Sequence, residues 1–274
     1  MTRFRFLLIL GLCLFSSRLY AGDLLSYRDS LKNGYNFLLY IPDDYEQRKE
    51  SDDPLPVIVC LHGKSRVGND LKMVTKYGCV DALRRGAQID AIVICPQCNT
   101  TGGWKAQRVM NVVDFVYERY KCDPDRLYVY GMSMGGWGAF KMVAEYPDRV
   151  AAAIAMCGGY IGDNYENIGK VPLWIIHGTA DEVTTLSHST RIVKKLEEIG
   201  QTGRVRCTWL ESEGHSILAR IFLLEDTYKW LFQHRLSTPD RPCSQEYEVT
   251  KKDLKRAYIY LDPEKRQKLP ITKP

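Results

Sequence analysis

Ser133 stands at the centre of a Gly-x-Ser-x-Gly pattern that occupies residues 131–135 of the 274-residue chain. An apolar run, residues 127–130, precedes the pattern, and small residues follow it. This context predicts a strand that turns sharply into a helix and lifts the serine hydroxyl clear of a sheet, as the nucleophile of an acyl-transfer site requires. The alternative is an ordinary serine-glycine turn between a buried strand and a helix.

A serine hydroxyl needs a general base, and the later sequence offers one together with an acid. Asp181 and His215 each follow an apolar run, so both lie beyond the carboxyl ends of predicted strands, where open α/β sheets place their ligands. We predict that His215 is the base and Asp181 its partner, with Glu182 as the alternative acid. Taken singly, His215 could be a surface-loop histidine and Asp181 a turn or N-cap acid.

Attack on an ester carbonyl creates an oxyanion, which needs preorganised hydrogen-bond donors. The N–H of Met134 lies at the predicted helix N-terminus and is one candidate. The loop at residues 62–65 should supply the other, most simply the N–H of Lys64. His62 and His177 each precede a glycine at a strand end and are interpreted as structural or supporting residues.

Apolar strands alternate with amphipathic helices along the chain, and the connections are too long for hairpins. This pattern predicts an α/β fold, a mostly parallel central sheet with helices on both faces. The strands are expected at residues 35–42 (an edge strand), 56–61, 91–95, 127–130, 150–156, 173–176 and 206–210. Helices are expected at residues 72–85, 109–120, 134–146, 186–199 (closed by Gly200) and 222–236, and residues 43–54 are expected to form a charged surface loop.

Length and charge limit the classes of function. A chain of this length can bury one sizeable core. The net charge is +5, and three arginines without any acid in residues 1–21 account for three of these charges, which leaves +2 for the rest. This near-neutral balance does not favour nucleic-acid binding or a polybasic membrane patch. The sequence indicates no cofactor and no metal site, and it does not indicate an oligomeric state.

The first 21 residues have the pattern of a cleaved signal peptide. Arg3 and Arg5 form a basic start, residues 7–15 an apolar centre, and residues 19–21 a cleavage site. We therefore predict an exported protein, secreted or periplasmic, without a membrane-spanning segment. The predicted domains are residues 22–236, the catalytic domain, and residues 237–274, a C-terminal extension that is at most partly ordered and carries no chemistry.

Eight cysteines remain after the predicted signal peptide. In an exported protein, an even number permits disulfides, and one or two are expected without an assigned pairing. Cys95 and Cys98 have the spacing of a redox or zinc pair, but no second pair or histidine cluster accompanies them. Cys60 and Cys157 lie in apolar strands and are expected to be buried free thiols.

At these residues the chain resembles the α/β-hydrolase esterases, in particular the exported group related to polyhydroxybutyrate depolymerases and feruloyl esterases. The matching segments are residues 61–71, 95–98 with Trp104, 123–136, 177–183 and 214–215, within a similarity that extends over residues 35–236. The resemblance implies a triad of Ser133, Asp181 and His215, and an oxyanion loop at Gly63 and Lys64. It also implies that Trp104 and Trp137 line the substrate pocket, although ordinary packing is an equal alternative for both tryptophans.

Two segments depart from the family pattern. Lys64 and Ser65 replace the small residues that usually follow His-Gly in the oxyanion loop, and Thr184-Thr185 replaces the usual Val-Pro after the acid. The first departure affects the expected shape of the oxyanion loop, and the second affects only a surface loop.

The leading interpretation is a serine carboxylesterase that acts on a small-molecule or polysaccharide-linked ester, with deacylation of plant polysaccharide expected by family analogy. One alternative is a prolyl oligopeptidase-type peptidase, although the chain has no room for the gating domain usual in that group. The other alternative is a non-catalytic binding module on a hydrolase scaffold, which an intact Ser/Asp/His set disfavours.

Overall fold

The structure is a computed structural model that describes residues 22–259, 261 and 263–274, so the predicted signal peptide lies outside the described residues. The strands are β1 (Asp23–Tyr27), β2 (Asn36–Ile41), β3 (Leu55–Leu61), β4 (Ile92–Gln97), β5 (Cys122–Met132), β6 (Ala152–Met156), β7 (Leu173–Gly178), β8 (Val205–Leu210) and β9 (Ile271–Thr272). The helices are α1 (Tyr45–Lys49), α2 (Cys79–Arg85), α3 (Ala106–Tyr117), α4 (Met134–Glu145), α5 (Tyr165–Gly169), α6 (Ser187–Glu198), α7 (Glu225–Phe232) and α8 (Lys251–Arg256). Short 3₁₀ helices occur at Lys64–Arg66, Leu71–Thr75, Ser216–Leu223 and Pro263–Lys265.

The nine described strands form a single sheet in the order β8-β7-β6-β5-β3-β4-β2-β1-β9. The six strands from β8 to β4 in this order are parallel to one another, whereas β2 runs antiparallel to both β1 and β4. The predicted mostly parallel α/β sheet is therefore confirmed. Because parallel strands end at the same edge, the segments that follow β3, β5, β6, β7 and β8 meet beyond one edge of the sheet.

Two apolar layers cover the faces of the sheet. In β5, Tyr128 and Tyr130 point into one layer, and Leu127 and Val129 point into the other, as the two-residue period of a strand requires. The first layer packs under α2, α7 and α8, and the second under α3, α4 and α6. Helices on both faces explain why the central strands are continuous apolar runs.

The helix boundaries differ modestly from those predicted. The expected helix at residues 72–85 is divided into a 3₁₀ turn and α2, because Gly78, at a φ of 96°, interrupts the helical backbone. Gly200 follows α6 at a φ of 69°, the left-handed conformation that closes many helices. The charged segment at residues 43–54 contains the short helix α1.

Two expectations about the ends of the sheet are wrong. The strand predicted at the edge, β2, is internal, because β1 pairs with it from Asp23 to Tyr27. The C-terminal extension is also more ordered than expected: Thr250 and Asp253 form a capping box that starts α8, and β9 pairs with β1. Leu254 of α8 is fully buried in the apolar layer that contains α2 and α7.

The prediction of one or two disulfides is wrong, because the eight cysteines of the described residues are free. Cys60 and Cys157 are buried free thiols, as expected. Cys95 belongs to one apolar layer and Cys98 to the other, so their side chains are separated by the sheet rather than paired. An odd separation along an extended chain places two side chains on opposite faces.

Candidate active site

Ser133 occupies the turn between β5 and α4 with a φ of 59° and a ψ of −124°, a conformation that side-chain-bearing residues rarely adopt. The N–H of Ser133 donates to the carbonyl of Met156 at 2.9 Å, and this bond holds the turn. Only glycine fits at the two flanking positions. A Cβ on Gly131 would overlap the carbonyl of Gly135, and a Cβ on Gly135 would overlap the carbonyl of Leu61. The sequence therefore folds here as the sharp turn that the pattern predicts.

The loops after β7 and β8 carry the acid and the histidine, and backbone hydrogen bonds join the two loops. The N–H of Ala180 donates to the carbonyl of Glu213 at 3.0 Å, directly beside Asp181 and close to His215. Since β7 and β8 are adjacent parallel strands, this bond aligns the two side chains across a short gap.

Three side chains form a continuous hydrogen-bonded series. Nδ1 of His215 lies 2.7 Å from Oδ2 of Asp181, and Nε2 of His215 lies 3.0 Å from Oγ of Ser133. The other carboxylate oxygen, Oδ1 of Asp181, accepts the N–H groups of Val183 and Thr184 at 2.9 Å and 2.8 Å. Because the carboxylate can only accept, Nδ1 carries the imidazole proton and Nε2 is left as the acceptor for the serine hydroxyl.

The alternative acid Glu182 does not take part, because its side chain is exposed and makes no recorded bond to His215. Asp181, in contrast, has a fully buried side chain, and that of His215 is 14% exposed. The geometry therefore selects Asp181 over Glu182 as the partner of His215, a choice that the sequence left open.

His177 supports the loop that carries Asp181. Its Nε2–H donates to the carbonyl of Thr184 at 2.7 Å, and its Nδ1 lies 2.7 Å from the hydroxyl of Ser189 on α6. Burial lowers the pKa of His177, which favours the neutral ring. A buried neutral ring with both nitrogens bonded positions the loop and cannot reach Ser133 as a base.

His62 has the same kind of role on the other side of the nucleophile. Its Nε2 accepts the N–H of Cys98 at 3.0 Å, so Nδ1 carries the proton and donates to the carbonyl of Gly63 at 2.7 Å. Burial lowers the pKa of His62 to about 4. The indole N–H of Trp104 donates to the carbonyl of His62 at 3.1 Å. These bonds fix the loop that follows β3.

The expected oxyanion donors lie on either side of Ser133. The N–H of Met134 begins α4, and the N–H of Lys64 begins a 3₁₀ turn, and neither donates to another group in the described hydrogen-bond network. The N–H of Gly63, in contrast, donates to the hydroxyl of Tyr77. The N–H of Gly63 is therefore already used, whereas those of Lys64 and Met134 have no acceptor among the described residues.

Cys157 lies beneath this group of side chains. Its Sγ atom is within 4.8 Å of ligand atoms of Asp181 and His215. Burial raises the pKa of the Cys157 thiol well above its usual range, so the thiol is protonated at neutral pH and is a poor nucleophile. Asp181 and His215 already bond to each other, so Cys157 is a buried thiol beside the hydrogen-bonded series rather than a member of it.

The family profile described as Dienelactone hydrolase family matches residues 87–220, which contain Ser133, Asp181 and His215. Acetylxylan esterase A of Emericella nidulans is 34% identical over 73 residues, 27% of this chain and 24% of that protein. A bifunctional acetylxylan esterase/xylanase of Neocallimastix patriciarum is 29% identical over 135 residues, 47% of this chain and 19% of that protein. The chain thus spans a quarter or less of the length of these relatives.

Two solved esterase structures have folds similar to that of this chain. A thermostable esterase has a TM-score of 0.63 and 26% identity, with coverage of 78% of this chain and 63% of that one. A feruloyl esterase module from Clostridium thermocellum, complexed with sinapinate, has a TM-score of 0.57 and 16% identity over 74% of this chain and 86% of that one.

The chain has the α/β-hydrolase fold. The predicted resemblance to the esterases that share this fold is confirmed. No helix in the described part of the hydrolase combines the length and the apolar character that crossing a membrane requires.

Two clefts of the hydrolase meet at Ser133. The first, here called the cationic lobe, has a volume of about 490 Å³ and is lined by Lys64, Arg66, Lys76, Arg85, His215 and Tyr258, among others. The second, here called the tryptophan lobe, has a volume of about 660 Å³ and is lined by Met134, Trp137, Ile161 and Val183, among others. The site therefore offers one charged and one more apolar space on the two sides of the nucleophile.

The two predicted pocket tryptophans occupy different environments. Trp137 is partly exposed in the tryptophan lobe and packs edge-on against His188, with ring centroids 5.2 Å apart. Trp104 also borders this lobe, but only 2% of it is exposed, and its ring packs against Tyr35 and His62. Trp137 can contact a substrate, whereas Trp104 chiefly supports the wall and the loop after β3.

Several residues of the hydrolase site were not identified from the sequence. Tyr77 holds Gly63 from 14 residues away, and Tyr258 reaches the cationic lobe from the C-terminal extension. Neither residue belongs to a motif or follows a predicted strand. Only the placement of α2 and of the chain after α8 brings them to the cleft, so no local sequence signal could have identified them.

Proposed function

We propose that this α/β-hydrolase is an exported serine carboxylesterase that cleaves esters through an acyl-enzyme. The observation that carries the proposal is the continuous series from Asp181 through His215 to Ser133, with heavy-atom distances of 2.7 Å and 3.0 Å. These distances lie within hydrogen-bond reach, which a nucleophile, its base and the orienting acid must satisfy.

In the first half of the reaction, the hydroxyl oxygen of Ser133 bonds to the ester carbonyl carbon while its proton passes to Nε2 of His215. Asp181 holds the resulting imidazolium at Nδ1 and offsets its charge. The carbon–oxygen bond to the alcohol then breaks, and the alcohol leaves with the proton from Nε2. Water repeats the sequence on the acyl-enzyme and releases the acid, so the side chains return to their starting states.

Oxyanion stabilisation is assigned to the N–H groups of Met134 and Lys64. Neither group donates to an acceptor among the described residues, and both lie at the start of a helical turn, where N–H groups point outward and the local dipole favours negative charge. Loss of one such donor typically costs about 2.7–4 kcal/mol of transition-state stabilisation.

The acyl group is proposed to occupy the tryptophan lobe, with acetyl and hydroxycinnamoyl groups as the leading candidates. The acetylxylan esterase relatives and the feruloyl esterase module motivate these two groups. A polysaccharide-linked ester outside the cell would fit an exported enzyme, and export rests on the predicted signal peptide at residues 1–21.

The experiment that tests the proposal is hydrolysis of p-nitrophenyl acetate, p-nitrophenyl butyrate and methyl ferulate by the wild type and by Ser133→Ala. Loss of a triad nucleophile is expected to lower kcat by about six orders of magnitude. Circular dichroism and thermal unfolding of the variant control for its fold. Equal rates for the two proteins on every ester would overturn the proposal.

The two alternatives are addressed with the same protein samples. A fluorophosphonate probe should label the wild type at Ser133 and leave Ser133→Ala unlabelled, whereas a binding module would resist the probe. A peptidase would cleave proline-containing peptide amides at a rate that Ser133→Ala abolishes, whereas an esterase would leave these amides intact. No contact in the described residues favours either alternative.

A further inference from the structure

The cationic lobe concentrates positive charge next to the nucleophile. Four basic side chains line it, Lys64, Arg66, Lys76 and Arg85, whereas Asp81 is the single acid among its described lining residues. Asp81 is already paired, because its carboxylate lies 2.8 Å from Nε of Arg85. The sequence outside the signal peptide is close to neutral, so this density of charge is local.

The other three cations have no acidic partner among the residues that the structure describes. Within the described residues, no carboxylate lies within 4.0 Å of the charged groups of Lys64, Arg66 or Lys76. The guanidinium of Arg66 lies over the ring of Tyr77 at 5.3 Å, and its Nε atom is buried without a hydrogen-bond partner. A buried donor without a partner is costly, so this guanidinium has bonding capacity that a bound anion could use.

The position of His215 indicates which part of a substrate lies in this lobe. The imidazole must return its proton to the departing alcohol, so the alcohol has to lie on the side of the site that His215 borders. His215 and Ser216 line the cationic lobe but not the tryptophan lobe, and Met134, an oxyanion candidate, lines the tryptophan lobe but not the cationic lobe. Lys64, the other oxyanion candidate, borders both lobes. The alcohol part of the ester is thereby directed toward the three unpaired cations.

We infer that the hydrolase acts on esters whose alcohol part carries an anionic group, a carboxylate or a phosphate, which Lys64, Arg66 and Lys76 bind. The inference rests on the proposed esterase function and narrows its substrate class. All three cations precede residues 87–220, the part of the chain that the family profile matches. Tyr258 borders the same lobe and adds an aromatic surface beside the anion site.

The test compares kcat/KM for three acetate esters of one phenol framework: 4-acetoxybenzoate, its neutral methyl ester, and 4-acetoxyphenyl phosphate. The measured quantity is the ratio of the anionic to the neutral value in each protein, because intrinsic leaving-group reactivity cancels when ratios are compared between proteins. The proteins are the wild type, the double variant Arg66→Gln/Lys76→Met, and Lys72→Met. Lys72 is an exposed lysine of the adjacent 3₁₀ turn that does not line the lobe.

In the double variant, the ratio of the anionic to the neutral kcat/KM is expected to fall about tenfold, mainly through a higher KM for the anionic esters. Each exposed ion pair that is removed should weaken binding by a factor of about 1.5 to 5. Lys72→Met should retain the wild-type ratio. In the wild type, 0.5 M salt should reduce the ratio, because the Debye length falls well below 10 Å. The anionic ester whose ratio falls more in the double variant identifies carboxylate or phosphate as the preferred group.

The outcomes separate this inference from the proposed function. Hydrolysis of all three esters with the same ratio in the wild type and the double variant would overturn the anion site and leave the esterase intact. Failure of the wild type to hydrolyse any of the three esters would overturn the esterase proposal itself. Thermal unfolding of the double variant shows whether a changed ratio comes from an intact fold.

Discussion

Nε2 of His215 lies 3.0 Å from Oγ of Ser133, although 82 residues separate them in the chain. The contact depends on β5 and β8, which lie three places apart in the sheet order and end at the same edge. Because Ser133 is fixed by the turn between β5 and α4 and His215 by Asp181, the two reacting atoms are held together before a substrate binds. Such preorganisation is what removes the entropic cost of assembling reacting groups.

The first prediction concerns the acid. Asp181→Asn should lower kcat by about 10⁴-fold, because an amide can donate to Nδ1 of His215 and so favours the tautomer with its proton on Nε2. The matched control is Glu182→Gln, which removes the neighbouring charge from an exposed side chain and should leave the activity unchanged. The measurement is steady-state hydrolysis of p-nitrophenyl acetate. A large loss in Glu182→Gln together with an active Asp181→Asn would reverse the assignment.

The second prediction concerns Gly63. An added Cβ would lie 2.9 Å from the hydroxyl of Tyr77 and 3.2 Å from Cβ of Ser133. Gly63→Ala should therefore displace Tyr77 and the oxyanion loop and lower kcat by about 10²-fold, roughly the value of one lost oxyanion donor. Gly203→Ala is the control, because its Cβ would meet open space. Wild-type kcat in Gly63→Ala would show that the loop tolerates the shift.

The sequence predicted those parts of the site that local patterns encode. The turn at Ser133 follows from glycines that no other residue could replace without overlap, and Asp181 and His215 follow from their positions after buried strands. The alternation of apolar strands and helices predicted the parallel sheet. Each of these features depends on residues within about ten positions of one another and on general rules of α/β topology.

The remaining features depend on contacts between distant segments. β2 was expected at an edge because nothing in its own sequence reveals that β1 pairs with it. The C-terminal extension lacks a clear period, yet Leu254 is buried because α8 packs near α2 and α7. The packing of α8 also brings Tyr258 to the cationic lobe. Long-range packing determines these features, and no local propensity signals them.

The third prediction is a loss of stability at acidic pH through His62. The folded pKa of about 4 lies below the ordinary value of 6.5, because burial disfavours the charged ring and Cys98 already donates to Nε2. As pH falls from about 6.5 to about 4, the unfolded chain binds a proton at His62 that the folded chain does not. The free energy of unfolding should therefore fall by up to ~3 kcal/mol from this residue alone.

The measurement for His62 is urea unfolding of the wild type and of His62→Gln at pH 7.5, 6 and 5. The stability advantage of the wild type over the variant should be largest at pH 7.5 and should shrink at each lower pH. Other buried histidines affect both proteins equally, so the difference isolates His62. A difference that stays constant across this range would show that His62 does not resist protonation in the folded state.

The last prediction is that the C-terminal extension unfolds together with the catalytic domain. Leu254 is fully buried, so Leu254→Ala should lower the free energy of unfolding by about 2–5 kcal/mol through lost burial and the cavity that remains. Ile259→Ala is the matched control in the same segment, because Ile259 is 74% exposed and its truncation should change stability by less than about 0.5 kcal/mol. Urea unfolding measures both variants. Wild-type stability in Leu254→Ala would mean that the extension opens independently, and the contribution of Tyr258 to the cationic lobe would then depend on a segment that is not fixed to the core.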